Sequence, residues 1–462
     1  MSERSKIALL IFFLFALYFV GINDRGMFHD GYLYAAYGKH AITMNRWLIP
    51  HLSHTTYAEF FHHTPFLFIL EGLFFKFVGV SYASARIFIL LFLIVTAFYF
   101  FGFIKREKGH LVAVLWLLFF LLLPPLLKKS RFPNIDLPLM MFTTLSLVCA
   151  FQAITKEKNK YWWGSGFMFG LALLTKGPLA LHIALVIFLF LVIEKKLFLL
   201  KKIVPWAAFL FGFALFALWP LGLKIYERMD IFYQWVHFIF VESIFEGRGE
   251  KSPFLTYFKF LLVNAPLWSL LIIFGFYQIK KKTLIPDALY RFSLLWFAAL
   301  IIPLSFMGLK YSNYLIPAYP AFALLSLYPI LKLRLDVQKK IVLWSMPIVF
   351  IGLAGSLFYN FKYKSYRDEV IYEAIDYARE KNLPMRNWIL YNDCYPFFSL
   401  QNLLAFEASA SVHQISNTRQ FNLDALVIIH KADVGKIENL KKLKDLSVKD
   451  LVLACVGSAC LK

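Results

Sequence analysis

Long apolar runs broken by short basic stretches fill the first 360 residues of the chain. Eleven of them stand out: 7–22, 86–104, 110–127, 137–155, 161–175, 178–194, 203–223, 254–278, 292–309, 313–331 and 341–360. Each approaches the roughly 20 residues that a helix needs to cross a bilayer. A further run, 64–80, is ambiguous because it carries Glu71, Lys76 and two glycines. Residues 230–242 place apolar side chains three to four apart and predict an amphipathic helix lying on the membrane. After residue 360 the pattern changes. Residues 367–381 predict an amphipathic helix that ends at Leu383-Pro384. Segments 388–391, 425–430 and 450–454 read as short buried strands. The expected fold is an all-α polytopic membrane protein of about eleven spans plus interfacial helices, with a small C-terminal α/β domain. The transmembrane domain is expected over 1–360, with outer loops 24–63 and 224–253, and the small domain over 361–462.

Composition agrees with this pattern. Sixty per cent of residues are hydrophobic and 19% aromatic, and the mean hydropathy is +0.63. Such a chain is a membrane protein. The net charge of +21 does not point to nucleic acid, because the basic residues punctuate apolar runs as the positive-inside rule requires. The clusters lie at Arg4/Lys6, 105–108, 156–160, 195–202, 280–282 and 332–340. Eleven crossings and a cytoplasmic N-terminus put all six inside. A crossing at 64–80 would invert five of them, so 64–80 is expected to be interfacial or re-entrant on the outer face. The N-terminal segment is expected to be an uncleaved first span, since no small-residue cleavage site follows it. Four cysteines make no disulfide framework, and Cys455 and Cys460 either pair or stay free.

The same topology leaves a second set of charges on the outer side, where the charge rule does not explain them. Among them are Asp30, His62, His63, Arg131, Asp136, Lys176, Glu242, Glu246, Arg248 and Lys310. Lys176 is the most telling. It sits in Leu-Thr-Lys-Gly-Pro, inside apolar sequence and just before a helix break. A charge at membrane depth costs about 3 kcal/mol unless a cavity or partner receives it. A phosphate would suit such a cation. Arg131 is a second candidate phosphate ligand by its planar fork, or else the partner of Asp136 in a local ion pair. Lys310 is a third, or else a lysine snorkelling at a helix end. Asp30, in Phe-His-Asp-Gly-Tyr-Leu-Tyr, is either a general base at the lip of a cavity or a helix N-cap. The tandem His62-His63 is a weak metal candidate, because adjacent residues on a helix do not share a face. The tail carries no nucleotide loop and no catalytic triad.

These pieces, in this order, resemble the GT-C superfamily of glycosyltransferases, in particular the bacterial aminoarabinose transferases and protein mannosyltransferases. The resemblance runs over most of 1–330. It rests on the acidic Tyr-rich first loop from Asp30 to Tyr37, Thr64-Pro65, Ser84-Ala-Arg86, Ser130-Arg131 to Asp136 and Leu-Thr-Lys176-Gly-Pro. Val241-Glu242, Ser252-Pro253, Ala265-Pro266-Leu-Trp268 and Lys310-Tyr-Ser-Asn-Tyr314-Leu-Ile-Pro-Ala-Tyr-Pro320 follow. The resemblance implies a polyprenyl (undecaprenyl) phosphate sugar as donor and a site open to the outer face of the inner membrane. The acceptor would be a lipid such as lipid A, another glycan, or a protein. Asp30 then matches the base and Asp136 a second catalytic aspartate. Arg131, Lys176 and Lys310 match the phosphate ligands. Tyr34, His62, His63, Glu242 and Tyr314 are expected around the donor and acceptor cavity. A divalent metal, if one binds, would take His62, His63 and Glu242. The chain departs from its relatives at Gly31, where they often carry a second acid. It has His62-His63-Thr64-Pro65 where they show Glu-Lys-Pro-Pro. A transporter or flippase of lipid-linked substrates is the rival reading. It would be expected to show internal repeats and charges at the bilayer midplane, and neither is visible here.

Overall fold

The structure, a computed structural model, describes residues 3–245, 252–362, 369–416, 423–447 and 450–460. Glu246 and Arg248, and the first two residues of the amphipathic segment at 367, lie outside them. The chain divides into two compact units. The first comprises Met1–Ile22, Phe61–Leu67 and Arg86–Tyr363, and the second Asn23–Phe60, Phe68–Ala85 and Lys364–Lys462.

The elements run α1 (Glu3–Phe19), α2 (His29–Thr43), α3 (Phe66–Val78), α4 (Tyr82–Lys108), α5 (His110–Leu121), α6 (Pro124–Lys129), α7 (Asp136–Lys156) and α8 (Asn159–Lys176). Then come α9 (His182–Ile193), α10 (Ile203–Ile225), α11 (Met229–Val236), α12 (Thr256–Asn264), α13 (Pro266–Lys280), α14 (Ala288–Phe306), α15 (Tyr319–Leu327) and α16 (Leu335–Lys362). The tail adds α17 (Glu369–Glu380), β1 (Asn387–Tyr391), α18 (Phe397–Ala408), β2 (Ser411–Ile415), β3 (Ala425–His430), β4 (Lys441–Asp445) and β5 (Leu451–Val456).

The first unit is helical and apolar. Among the described residues, seven helical stretches are long and apolar enough to cross a membrane, or eight if the bent pair α12–α13 is one span. Two shorter apolar helices, Ser5–Phe19 and His110–Leu121, lie where further spans were expected. Every expected apolar run thus falls on a helix or a helix pair. The segment at 64–80 forms the 13-residue α3, shorter than a straight crossing needs. Burial ranks the helices. The apolar window of α7 is 94% buried, whereas those of α10 and α16 are 22% and 17% buried. So α7 is central, and α10 and α16 turn large side chains such as Trp206, Leu210, Trp344 and Ile351 outward, as lipid-facing helices do. Close helix packing uses small residues. A Cβ on Gly166 would fall 2.0 Å from the carbonyl oxygen of Ala208, and one on Gly212 would fall 2.5 Å from that of Gly166. The spacings Gly166-xxx-Gly170 and Ala208-xxx-Gly212 therefore bring the backbones of α8 and α10 into contact.

The second unit joins α2 and the body of α3 to the tail. Its five-stranded sheet has the order β2-β1-β3-β5-β4. β1 pairs parallel with β2 and β3, while β5 pairs antiparallel with β3 and β4. The strands expected at 388–391, 425–430 and 450–454 are β1, β3 and β5, and the expected amphipathic helix is α17. A disulfide joins Cys455, at the end of β5, to Cys460 in the turn that follows.

Candidate functional site

Lys176 and Asp136 form an ion pair between two helix ends. The turn before α7 explains why Asp136 is there. Asn134 Nδ2 donates to the carbonyls of Lys129 and Phe132, both at 2.9 Å. Its Oδ1 accepts from the backbone N–H of Asp136 (3.1 Å) and of Leu137 (3.0 Å). Asn134 therefore starts the helix, and the Asp136 carboxylate falls in its first turn, where unpaired N–H groups favour negative charge. Lys176 is the last residue of α8, where unpaired carbonyls favour a cation. The Lys176 ammonium donates to Asp136 Oδ1, and the two side chains are 11% and 4% exposed. It also lies 4.6 Å from the centre of the Tyr314 ring, in cation–π range.

The helix must stop after Lys176. Gly177 has φ +54, a conformation that side chains rarely adopt. A Cβ there would lie 2.7 Å from Trp235 Cζ2 of α11. Thr64 Oγ1 donates to the Leu174 carbonyl one turn earlier. Gly177→Ala is therefore expected to cost at least about 1 kcal/mol from the backbone alone, with the Trp235 clash added. The variant should show a lower detergent melting point and lose most activity, and a melting curve beside a turnover assay checks both. A wild-type melting point would show that the loop tolerates a side chain.

A cavity of about 370 Å³ opens beside the lysine. Lys176, Tyr314, His63, His182 and Ser243 contribute its polar groups, and Leu179, Leu185, Leu300, Pro303 and Leu304 form much of its apolar wall. The wall is thus mostly apolar, with the Lys176 cation in it. The His182 Nδ1 and the Leu179 carbonyl oxygen are 2.6 Å apart.

The other candidates are placed as follows. His63, Lys176 and Tyr314 line the cavity. His62 stacks flat on Phe238, with ring centres 3.9 Å apart. Glu242 Oε1 lies 3.3 Å from His237 Nδ1. Among the described residues no group of three or more His, Cys, Asp or Glu is placed to hold a metal ion. Arg131 is exposed. Its Nη1 reaches the Val20 carbonyl at 3.5 Å, and its own carbonyl accepts from Arg86 Nε at 3.1 Å. Asp136 pairs with Lys176 and not with Arg131, so the local Arg–Asp pair is not what forms. Lys310 donates to the carbonyls of Ser252, at 2.8 Å, and Met307. The second of these carbonyls lies just past the end of α14. Asn134, Trp235 and His182 carry geometry that the sequence reading passed over. The Asn-x-Asp spacing at a helix start was a usable signal for the first.

Asp30 and Tyr34 belong to the second unit. Asp30 is the second residue of α2 and Phe28 is the N-cap, so Asp30 is not the cap itself. Tyr34 stacks on Phe68 with ring centres 5.8 Å apart. Burial pulls the His29 imidazole below its ordinary range, and the Asp30 carboxylate partly opposes this. Burial also pushes the Lys39 ammonium down to about 8.

The sequence profile of the dolichyl-phosphate-mannose–protein mannosyltransferase family matches residues 62–219. An uncharacterised protein of Aquifex aeolicus is 26% identical over 367 residues, covering 78% of this chain and 71% of that one. The undecaprenyl phosphate-α-4-amino-4-deoxy-L-arabinose arabinosyl transferase 2 of Proteus mirabilis is 24% identical over 385 residues, covering 77% of this chain but 64% of its own length. The crystal structure of ArnT from Cupriavidus metallidurans bound to undecaprenyl phosphate superposes with a TM-score of 0.74 over 99% of both chains, at 13% identity. The chain is a membrane glycosyltransferase, similar in sequence to the aminoarabinose transferases and sharing the fold of ArnT. The mannosyltransferase match takes in His62, His63, Arg131, Asp136 and Lys176 of this chain, and leaves out Asp30, Glu242, Lys310 and Tyr314.

Proposed function

We propose that the protein transfers a sugar from a polyprenyl-phosphate-linked donor to a lipid, glycan or protein acceptor on the outer face of the inner membrane, with inversion. The cavity beside Lys176 carries this reading. An ammonium in the wall of a mostly apolar cavity suits a phosphate attached to a prenyl chain. The disulfide Cys455–Cys460 supports a tail in an oxidising compartment, as the outer face would be.

In the proposed reaction an acceptor oxygen or nitrogen forms a bond to the anomeric carbon. The bond from that carbon to the phosphate oxygen breaks, and the lipid phosphate leaves with the electron pair. Lys176 stabilises the charge that develops on the phosphate, shared at that moment with Asp136. Asp136 holds the lysine in place. Asp30 takes the acceptor proton. Arg131 and Lys310 are the further cations proposed for the phosphate or for its lipid neighbours.

Deleting the gene is expected to make a polyprenyl-phosphate-linked sugar accumulate, read by mass spectrometry of extracted lipids. Purified protein in vesicles loaded with that lipid and with membrane extract as acceptor should release free polyprenyl phosphate. A flippase would move the lipid across the bilayer with its sugar bond intact. Movement without cleavage would overturn the transferase reading.

A further inference from the structure

The second unit holds the segment that carries Asp30 at four points. Arg25 makes a two-pronged pair with Asp376 of α17, at 2.6 and 2.8 Å. The Tyr32 hydroxyl pairs with that of Tyr372, also on α17. Lys39 donates to the Phe406 carbonyl of α18 at 2.6 Å. Asn402 of α18, 1% exposed, places its amide nitrogen 3.3 Å from the His29 carbonyl oxygen and 3.2 Å from a ring nitrogen of His29. An amide nitrogen can only donate, and burial of His29 favours the neutral ring, the form with a nitrogen that can accept.

These anchors fix the helix in rotation as well as in position. At about 100° per residue, Tyr32 and Lys39 fall within about 20° of each other around α2, and Asp30 lies about 160–180° away from both. Clamping that face by its side chains sets the direction in which residue 30 projects. Asn402 acts nearest to it. The His29 carbonyl it binds belongs to the peptide unit that joins His29 to Asp30.

We propose that Asn402 is a positioning residue for Asp30, and that the C-terminal domain serves as the mount of the first-loop helix. This rests on the assignment of Asp30 as the base. The neighbouring Gln401, fully buried, does the same for the far end of the loop. Its Oε1 accepts from Thr55 Oγ1 at 3.1 Å and from the Val412 N–H at 2.9 Å.

The test compares Asn402→Asp, Asp30→Asn and the double variant, in full-length protein in vesicles, with the donor lipid extracted from the deletion strain. Asn402→Asp keeps the shape but loses both N–H groups. It is expected to lower kcat by about 10- to 100-fold, the effect of a displacement on the order of 1 Å, with KM for the donor within about two-fold. Hydrogen exchange should quicken in 29–36 while the strands β1, β3 and β5 keep their protection. The double variant should be no slower than Asp30→Asn alone. If Asn402→Asp keeps full kcat while Asp30→Asn is inactive, the positioning role is wrong and the base stands. Multiplied losses in the double variant, or loss of exchange protection throughout the sheet, would also overturn it. Full activity in Asp30→Asn would overturn the base assignment and this proposal together. Asn402→Ala, which removes the amide without adding a carboxylate, should repeat the kcat loss. Normal kcat in that variant would show that the aspartate acted by repulsion, and the proposal would fall.

Discussion

Lys176→Met is expected to abolish transfer, by about 10³-fold or more, and Asp136→Asn to do nearly the same for a different reason. A donor aimed at charge that develops in the transition state is worth about 10²–10³-fold in rate. The pair is also buried, with the two side chains 11% and 4% exposed. Removing one partner of such a pair leaves an uncompensated charge and costs about 3–5 kcal/mol. Each single variant therefore mixes lost chemistry with lost stability. The double variant Lys176→Met/Asp136→Asn separates the two. It removes both charges and keeps both shapes, so the detergent melting point should return close to that of the wild type. Transfer per folded molecule should not return. If the double variant transfers normally, the lysine does no more than balance the aspartate, and the phosphate role is lost.

The sequence showed that Lys176 needed a partner and did not show which one. Local spacing offered Arg131 to Asp136 and left Lys176 to a ligand. The pairing of Lys176 with Asp136 depends on α7 and α8 lying side by side, so that the start of one helix meets the end of the other. The same limit hid the role of Gly177. Gly-Pro announces a helix break, but not that Trp235 fills the space where a side chain would go. Apolar runs were legible because each helix buries or exposes its own residues to lipid. The strands β1, β3 and β5 were legible for a like reason, since their buried residues are apolar throughout. β4, with the sequence Lys-Lys-Leu-Lys-Asp at the sheet edge, shows no such run. Neither does α18 announce that Gln401 and Asn402 are buried. What α18 buries them against is a segment 373 residues earlier in the chain, in the case of Asn402 and His29. No local pattern encodes a contact of that range.

The Asp30→Asn variant should lose about 10²–10⁴-fold in kcat, the range of a general base, and almost nothing in stability. The structure gives reasons for the second half of that statement. Phe28 is the N-cap of α2, so Asp30 does not start the helix. Its charge in the first turn is worth at most about 1 kcal/mol from the helix dipole, and asparagine keeps the size of the side chain. The anchors Arg25–Asp376, Asn402–His29 and Lys39–Phe406 are untouched by the change. A large fall in turnover at an unchanged melting point would then be chemical. Donor binding provides the control, since undecaprenyl phosphate should bind the variant as it binds the wild type if the cations of the helical unit hold it. Asp30→Glu should recover part of the rate, because it restores the carboxylate one methylene too far along. Full turnover in Asp30→Asn would move the base elsewhere. Asp136, held by the Lys176 ammonium, would be the first group to examine.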